Sequence, residues 1–338
     1  MKSLSKILVA ASFLLSPVGG AWAADIEVVT SIKPVHSLVA AVMDGVGEPG
    51  LILQGAGSPH TYSLRPSQAR MLAGADVIFW VGPNLEAFMA KPLESLADGA
   101  DLVTLSKADG VTLLEPREGG TFEAHSHGDD DDDHDHGAEG HEEAGHDHDK
   151  ETHSEAAHAE HDHDHGPDAH LWLDPENAKA MVRTIAAELS RADPGNAQTY
   201  SDNAKTVEEK LTALENEIAA ELAPVKDRPF IVFHDAYQYF EKRFGLAAAG
   251  SITVSPEVIP GAQRVDEIHA KVKSLKAACV FSEPQFEPRL IEVVTEGTDA
   301  KSGVLDPLGA ELTDGPDLYF ELIRNMGTSL KECLTPQS

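Results

Sequence analysis

The sequence predicts an α/β protein of two βα lobes, parallel sheets flanked by helices, joined by one long rigid helix. Three observations carry this. Short β-rich runs alternate with helical stretches from Ile26 to Gly82, the same alternation restarts at Phe230, and one helical apolar stripe runs between them.

Ile26-Glu27-Val28-Val29-Thr30 is the first short strand, and Pro34 opens a helical stretch over Val35–Met43. Leu51-Ile52-Leu53 is a second strand, and Pro66 opens a helix through Leu72. Asp76–Gly82 is nearly continuously apolar, as a strand buried on both faces should be. After a long polar interruption, order resumes at Leu171-Trp172-Leu173, and Asp174 caps a helix from Pro175 to about Arg191. A second helix starts near Pro194. Tyr200, Ala204, Val207, Leu211, Leu214, Ile218 and Leu222 recur along it at three- and four-residue steps. At 1.5 Å per residue this is a rod of about 45 Å, long enough to run from one lobe to the other. Phe230–Phe233 is then a strand, Ala236–Phe244 and Gln263–Leu275 are helices, Cys279–Phe281 and Gly303–Leu305 are strands, and Leu318–Leu330 is a closing helix.

The N-terminus reads as an export signal. Met1–Lys6 is basic, Ile7–Val18 is a short apolar run, and Ala21-Trp22-Ala23 offers small residues at the cleavage positions. The run falls short of the roughly 20 residues a spanning helix needs. The expected organisation is a signal peptide over 1–23 and an N-terminal lobe over 24–193 carrying an insert at 118–167. The connecting helix follows over 194–223 and the C-terminal lobe over 228–338. The roughly 310 residues after the signal suit two domains of ordinary size. Export takes the chain to an oxidising compartment outside the cytoplasm. In that oxidising compartment the pair Cys279 and Cys333 reads as one disulfide, with two buried thiols as the alternative.

The net charge of −31 argues against a nucleic-acid partner, whose phosphates demand a basic face. That charge is concentrated: between Glu123 and His165 there are seventeen acidic residues against one lysine. The same tract holds twelve of the seventeen histidines: His125, His127, His134, His136, His141, His146, His148, His153, His158, His161, His163 and His165. Such a composition cannot bury enough apolar surface to order itself. Its flexible imidazoles and carboxylates suit an accessory collector or sensor that raises metal concentration locally; the bland alternative is a solvated linker of drifted composition.

Two literal motif matches fail on context. Gly45–Gly50 fits G-x-G-x-x-G but follows a helix and precedes a strand, so it is a turn. His141–His146 spaces its histidines five apart, which puts them on different helix faces from those of H-E-x-x-H. Four ligand-type residues remain, each at the end of a strand or in the loop after one, or where order resumes: His60, His170, His234 and Asp306. In open parallel sheets, ligands bind beyond the carboxyl ends of strands. A lone histidine there is usually an ordinary hydrogen-bonded residue; four such residues in equivalent places, two in each lobe, are hard to put down to chance. His36, inside a helix, and His269, on a lysine-rich one, are left as ordinary.

"SPHTYSLRPSQ", "HLWLDPENA", "FHDAYQYFEKRFGL", "PEVIPGAQR", "CVFSEPQF" and "LDPLG" together resemble the periplasmic zinc-uptake binding proteins of bacteria (the ZnuA type), cluster A-I metal-binding components of ABC importers. The resemblance covers nearly the whole chain and includes the His-rich insert. It implies that His60, His170 and His234 bind zinc across the cleft, that Asp306 is a fourth ligand or close neighbour, and that Cys279 pairs with Cys333. Some relatives carry Glu before the first ligand histidine; here that position is Pro59, leaving the fourth place to Asp306, water or a tract histidine. Three imidazoles suit tetrahedral Zn²⁺, whereas manganese prefers more oxygen. The expected function is delivery of Zn²⁺, the transported ligand, to the permease of an ABC importer, whose ATPase lies on the far side of the membrane. Other periplasmic zinc-binding proteins are further candidate partners, and a monomer without enzymatic activity is expected. Two other readings stand beside it: a zinc store in which the tract holds most metal, and a secreted zinc hydrolase, for which Glu283 is the carboxylate to watch.

Overall fold

The computed structural model describes residues 26–117, 122, 166–253, 260–285 and 289–336. The expected signal peptide and the tract from His125 to His165 lie outside them.

Two parallel four-stranded sheets organise the chain. The first contains β1 (Val28–Thr30), β2 (Gly50–Leu51), β3 (Val77–Trp80) and β4 (Asp101–Thr104), in the order β2-β1-β3-β4. The second contains β5 (Phe230–His234), β6 (Ser251–Thr253), β7 (Cys279–Ser282) and β8 (Lys301–Val304), in the order β6-β5-β7-β8. The two orders are the same, so β1 and β5 hold equivalent central places. Both are buried along their whole length, as their apolar runs require.

Helices α1 (Lys33–Val42), α2 (Pro66–Ala73) and α3 (Ala87–Leu96) cross over in the first sheet. In the second, α6 (Gln238–Phe244), α7 (Ala262–Leu275) and α8 (Arg289–Thr295) do so, and α9 (Leu318–Leu334) ends the chain. The sequence reading did not contain α3, β4, β6 or α8. Each has a reason to be quiet: α3 carries Pro92 in its interior, β4 is an edge strand with Leu102 exposed, β6 is three residues long, and α8 is seven.

Two helices link the sheets. Helix α4 (Pro175–Ala192) begins as expected, with Asp174 accepting the backbone N–H of Glu176 at 2.9 Å and Pro175 in the first turn. Helix α5 (Ala197–Leu222) is 26 residues long, hence about 39 Å. It starts later than Pro194 because Asp193 builds the corner, accepting from Asn196 Nδ2 at 2.6 Å and the Tyr200 hydroxyl at 2.9 Å. Its buried residues are the seven of the apolar stripe. It packs on α1 and α4 at one side and on α6 and α9 at the other. One apolar core therefore runs from Val28 and Phe79 through Leu211 and Leu214 to Phe230 and Tyr319.

Cys279 and Cys333 form a disulfide with Cα atoms 6.0 Å apart, inside the ordinary range. The bond ties β7 to α9 over a separation of 54 residues, worth about 4 kcal/mol on the chain-entropy model. Beside it, a Cβ on Gly303 would meet the Phe281 ring at 2.6 Å, so close sheet–ring contact requires glycine there. Gly45, at φ +78°, sits in the turn between α1 and β2, as the failed dinucleotide match implied. Among the described residues no helix is long and apolar enough to cross a membrane.

Candidate metal centre

His60, His170 and His234 come together where the carboxyl ends of the two sheets face each other. His60 lies in the loop between β2 and α2, where the Ser58 hydroxyl accepts its backbone N–H at 3.3 Å. Gln68 braces that loop, donating to the Ile52 carbonyl at 2.6 Å and the Tyr62 hydroxyl at 2.7 Å. His170 heads the 3₁₀ turn Leu171–Leu173, and the Trp172 ring lies 5.4 Å from its ring. The Trp172 indole N–H donates to the Pro307 carbonyl at 2.8 Å, joining the two halves of the pocket. His234 is the last residue of β5. His170 and His234 are buried and His60 is half-buried.

Each buried imidazole is held by a carboxylate. His170 Nδ1 lies 2.9 Å from Asp168 Oδ1, which also accepts the backbone N–H of His170 at 3.0 Å. His234 Nδ1 lies 2.7 Å from Glu283 Oε1, which the Tyr237 hydroxyl approaches at 3.0 Å. Burial, with Glu283 close by, holds the Tyr237 pKa well above its ordinary value, so the phenol stays a donor. With Nδ1 donating to a carboxylate, each ring presents the lone pair of Nε2. These two Nε2 atoms face each other at 3.4 Å.

That separation suits two nitrogens sharing one ion. Two nitrogens about 2.0–2.1 Å from a tetrahedral ion stand about 3.3–3.4 Å apart. The His60 ring completes the group at centroid distances of 5.5 Å and 6.0 Å, and one ligand atom from each residue lies within 4.8 Å of the others. Asp168 and Glu283 stand as two buried carboxyl groups behind the rings.

The structure does not bring Asp306 into this group. Its carboxylate turns into its own loop, accepting the backbone N–H groups of Leu308, Gly309 and Ala310 at 3.1, 2.9 and 2.6 Å and Gln285 Nε2 at 3.3 Å. It shapes the wall of the pocket, to which Leu308 and Pro307 contribute. Pro59 lines the same pocket beside His60. His36 lies elsewhere, buried in α1 with Nε2 3.1 Å from the Pro49 carbonyl, and His269 is on α7. The tract histidines fall outside the described residues.

Sequence reasoning gives Asp168 no role and sees Glu283 only as a possible base. Asp168 had a local signal, two residues before a ligand-type histidine. Glu283 had a topological one: it follows β7, the neighbour of β5.

The family model of the periplasmic component A of the zinc-uptake complex matches residues 28–333. The chain is 58% identical over 336 residues to the high-affinity zinc uptake system protein ZnuA of Brucella suis, covering 99% of this chain and 100% of that one. It is 38% identical over 342 residues to the protein of the same name from Yersinia pestis, covering 98% of each. Among solved structures, a crystal structure of ZnuA superposes with a TM-score of 0.70 at 22% identity, over 92% of this chain and 100% of that one. The laminin-binding protein Lmb of Streptococcus agalactiae gives 0.69 at 24% identity, again over 92% and 100%. The two solved structures show the fold. With the family match spanning nearly the whole chain, the protein belongs to the periplasmic zinc-uptake component A family.

Proposed function

We propose that this chain is an extracytoplasmic zinc receptor that binds Zn²⁺ through His60, His170 and His234 in the cleft between its lobes. It hands the ion to the permease of an ABC importer. The observation that carries the reading is the 3.4 Å approach of His170 Nε2 to His234 Nε2, each ring backed by a carboxylate at Nδ1. The names of the relatives, high-affinity zinc uptake proteins, support zinc as the cargo and an importer as the partner. We take the lobes as residues 24–193 and 228–338, with the connecting segment 194–223 built on α5; the expected export signal over 1–23 accords with a periplasmic family.

The fourth coordination place falls to water or a tract histidine, since Asp306 must first give up its backbone amides to reach the ion. The hydrolase alternative is poorly supported: Glu283, its candidate base, is engaged by His234 and Tyr237. The storage alternative turns on the His125–His165 tract, which we take as an accessory collector. Counting zinc at equilibrium with and without residues 121–165 tests this. A receptor keeps its single tight ion after the deletion, whereas a store loses most of its metal.

A further inference from the structure

A second charged cluster lies directly behind His234, and none of its side chains belongs to the three-imidazole group. Arg117, in the segment after β4, reaches across to Asp235, the residue after His234, and to Glu241 of α6. Its Nε donates to Asp235 Oδ1 and Oδ2 at 3.0 and 3.1 Å, and its Nη2 also meets Asp235. Its Nη1 and Nη2 donate to Glu241 Oε2 and Oε1 at 2.8 and 3.0 Å. The two carboxylate side chains are only 4% and 5% exposed, while the Arg117 side chain keeps 21%.

Two buried carboxylates so close would repel each other without a cation, and removing that cation leaves buried charge uncompensated. A lysine would supply charge but not the fork that grips both carboxylates, Asp235 through three contacts and Glu241 through two. The grip has a direction as well as a sign, because it fixes the backbone turn at Asp235 and therefore where His234 points.

The same helix holds the other buried imidazole. Tyr239 of α6 accepts the Leu114 N–H at 3.0 Å and donates to the Asp168 carbonyl at 2.8 Å. Gln238 donates to the Glu115 carbonyl at 2.9 Å and reaches Asp168 Oδ2 at 3.4 Å. Asp168 in turn orients His170. The segment Leu114–Arg117 is thus fastened to α6, the helix whose residues also reach Asp168 and follow His234.

We propose that Arg117 is a positioning residue for zinc: by clamping Asp235 and Glu241 it holds the His234 turn and sets how long the ion stays in the cleft. The proposal rests on His234 being a ligand. A ligand nitrogen displaced by a fraction of an ångström spoils the spacing of the site, and such displacement shows first in release of the ion.

The test uses the full-length protein loaded with zinc, with release followed by capture in excess chelator and metal-free stability followed by thermal unfolding. Arg117→Met should release zinc faster by about tenfold or more, the scale on which supports of metal ligands act. Adding Asp235→Asn and Glu241→Gln removes the buried charges, so this triple variant should regain metal-free stability yet still release zinc fast. Arg117→Lys should also release fast, since it keeps the charge without the fork. A triple variant with both parental stability and parental release would overturn the proposal, because Arg117 would then only balance charge. Should Arg117→Met alone fail to fold, the triple variant and Arg117→Lys still decide it. A His234→Ala control that released zinc at the parental rate would sink the ligand reading itself and the clamp with it.

Discussion

Glu283 Oε1 sits 2.7 Å from Nδ1 of His234, although the two residues are 49 positions apart in sequence. Neighbouring parallel strands, β5 and β7, bring them together at their carboxyl ends. The contact fixes the ring's rotation and turns Nε2 toward His170. Asp168 does the same for His170 from two residues away. Both lobes therefore prepare a histidine in the same manner.

Glu283→Gln should accordingly weaken zinc binding by about 10- to 100-fold while leaving all three imidazoles in place. Asp168→Asn should act in the same direction. Competition titration against a chelator reads this, and parental affinity in both variants would show that the carboxylates are bystanders.

Replacing a ligand is more severe. His170→Ala or His234→Ala removes a nitrogen from the 3.4 Å pair and should abolish the tight site, and His60→Ala should cost orders of magnitude in affinity. His36→Ala should leave zinc affinity unchanged, because that ring faces Pro49 rather than the cleft. The same titration decides, and a His36 variant with lost affinity would move the site.

How much of this was legible beforehand differs by layer. The buried strands β1, β3, β5 and β7 and the stripe of α5 announce themselves, the strands as short continuous apolar runs and the helix by its three- and four-residue steps. Edge strand β4 and the short β6 and α8 do not, because their residues answer to local packing that no pattern records. His60, His170 and His234 were legible from their places beside strand ends or where order resumes. Asp306 was read by the same rule, yet its carboxylate is consumed by three backbone amides of its own loop, a choice set by loop geometry. The Arg117 fork had no local signal, since its partners are 118 and 124 residues away.

A buried acid elsewhere gives a pH prediction. Glu86 is fully buried and accepts from the Ser31 hydroxyl and the N–H groups of Val81 and Gly82. Burial pushes its pKa up to about 7 from 4.5, against the pull of those hydrogen bonds. A carboxyl whose folded pKa is raised contributes stability below its unfolded pKa, and that stability is lost as pH rises through the folded value. Between about pH 4.5 and 7 the metal-free protein should lose on the order of 3 kcal/mol from this group. Glu86→Gln should lack this slope. Urea unfolding of both proteins at pH 5 and pH 8 measures it: the variant's relative stability should rise with pH, and a constant difference would exclude Glu86 as a titrating group.

Deletion of His125–His165 tests the tract against the cleft. The described residues on either side of it already meet, with the Asp168 N–H donating to the Leu114 carbonyl at 2.8 Å and the Tyr239 hydroxyl bonded to both. Closing the gap with a short linker therefore asks for no new approach of the chain ends, and shortening a loop changes closure entropy only slowly. Metal-free thermal stability should be almost unchanged. The three cleft imidazoles and their supports Asp168 and Glu283 all lie outside the deletion, so the tight phase of a calorimetric zinc titration should survive. The weak phase should shrink, because twelve histidines are removed. Uptake should then suffer mainly when zinc is scarce, where raising the local metal concentration counts most. If the tight phase disappears instead, the tract supplies the fourth ligand, and the cleft is complete only with a histidine from it.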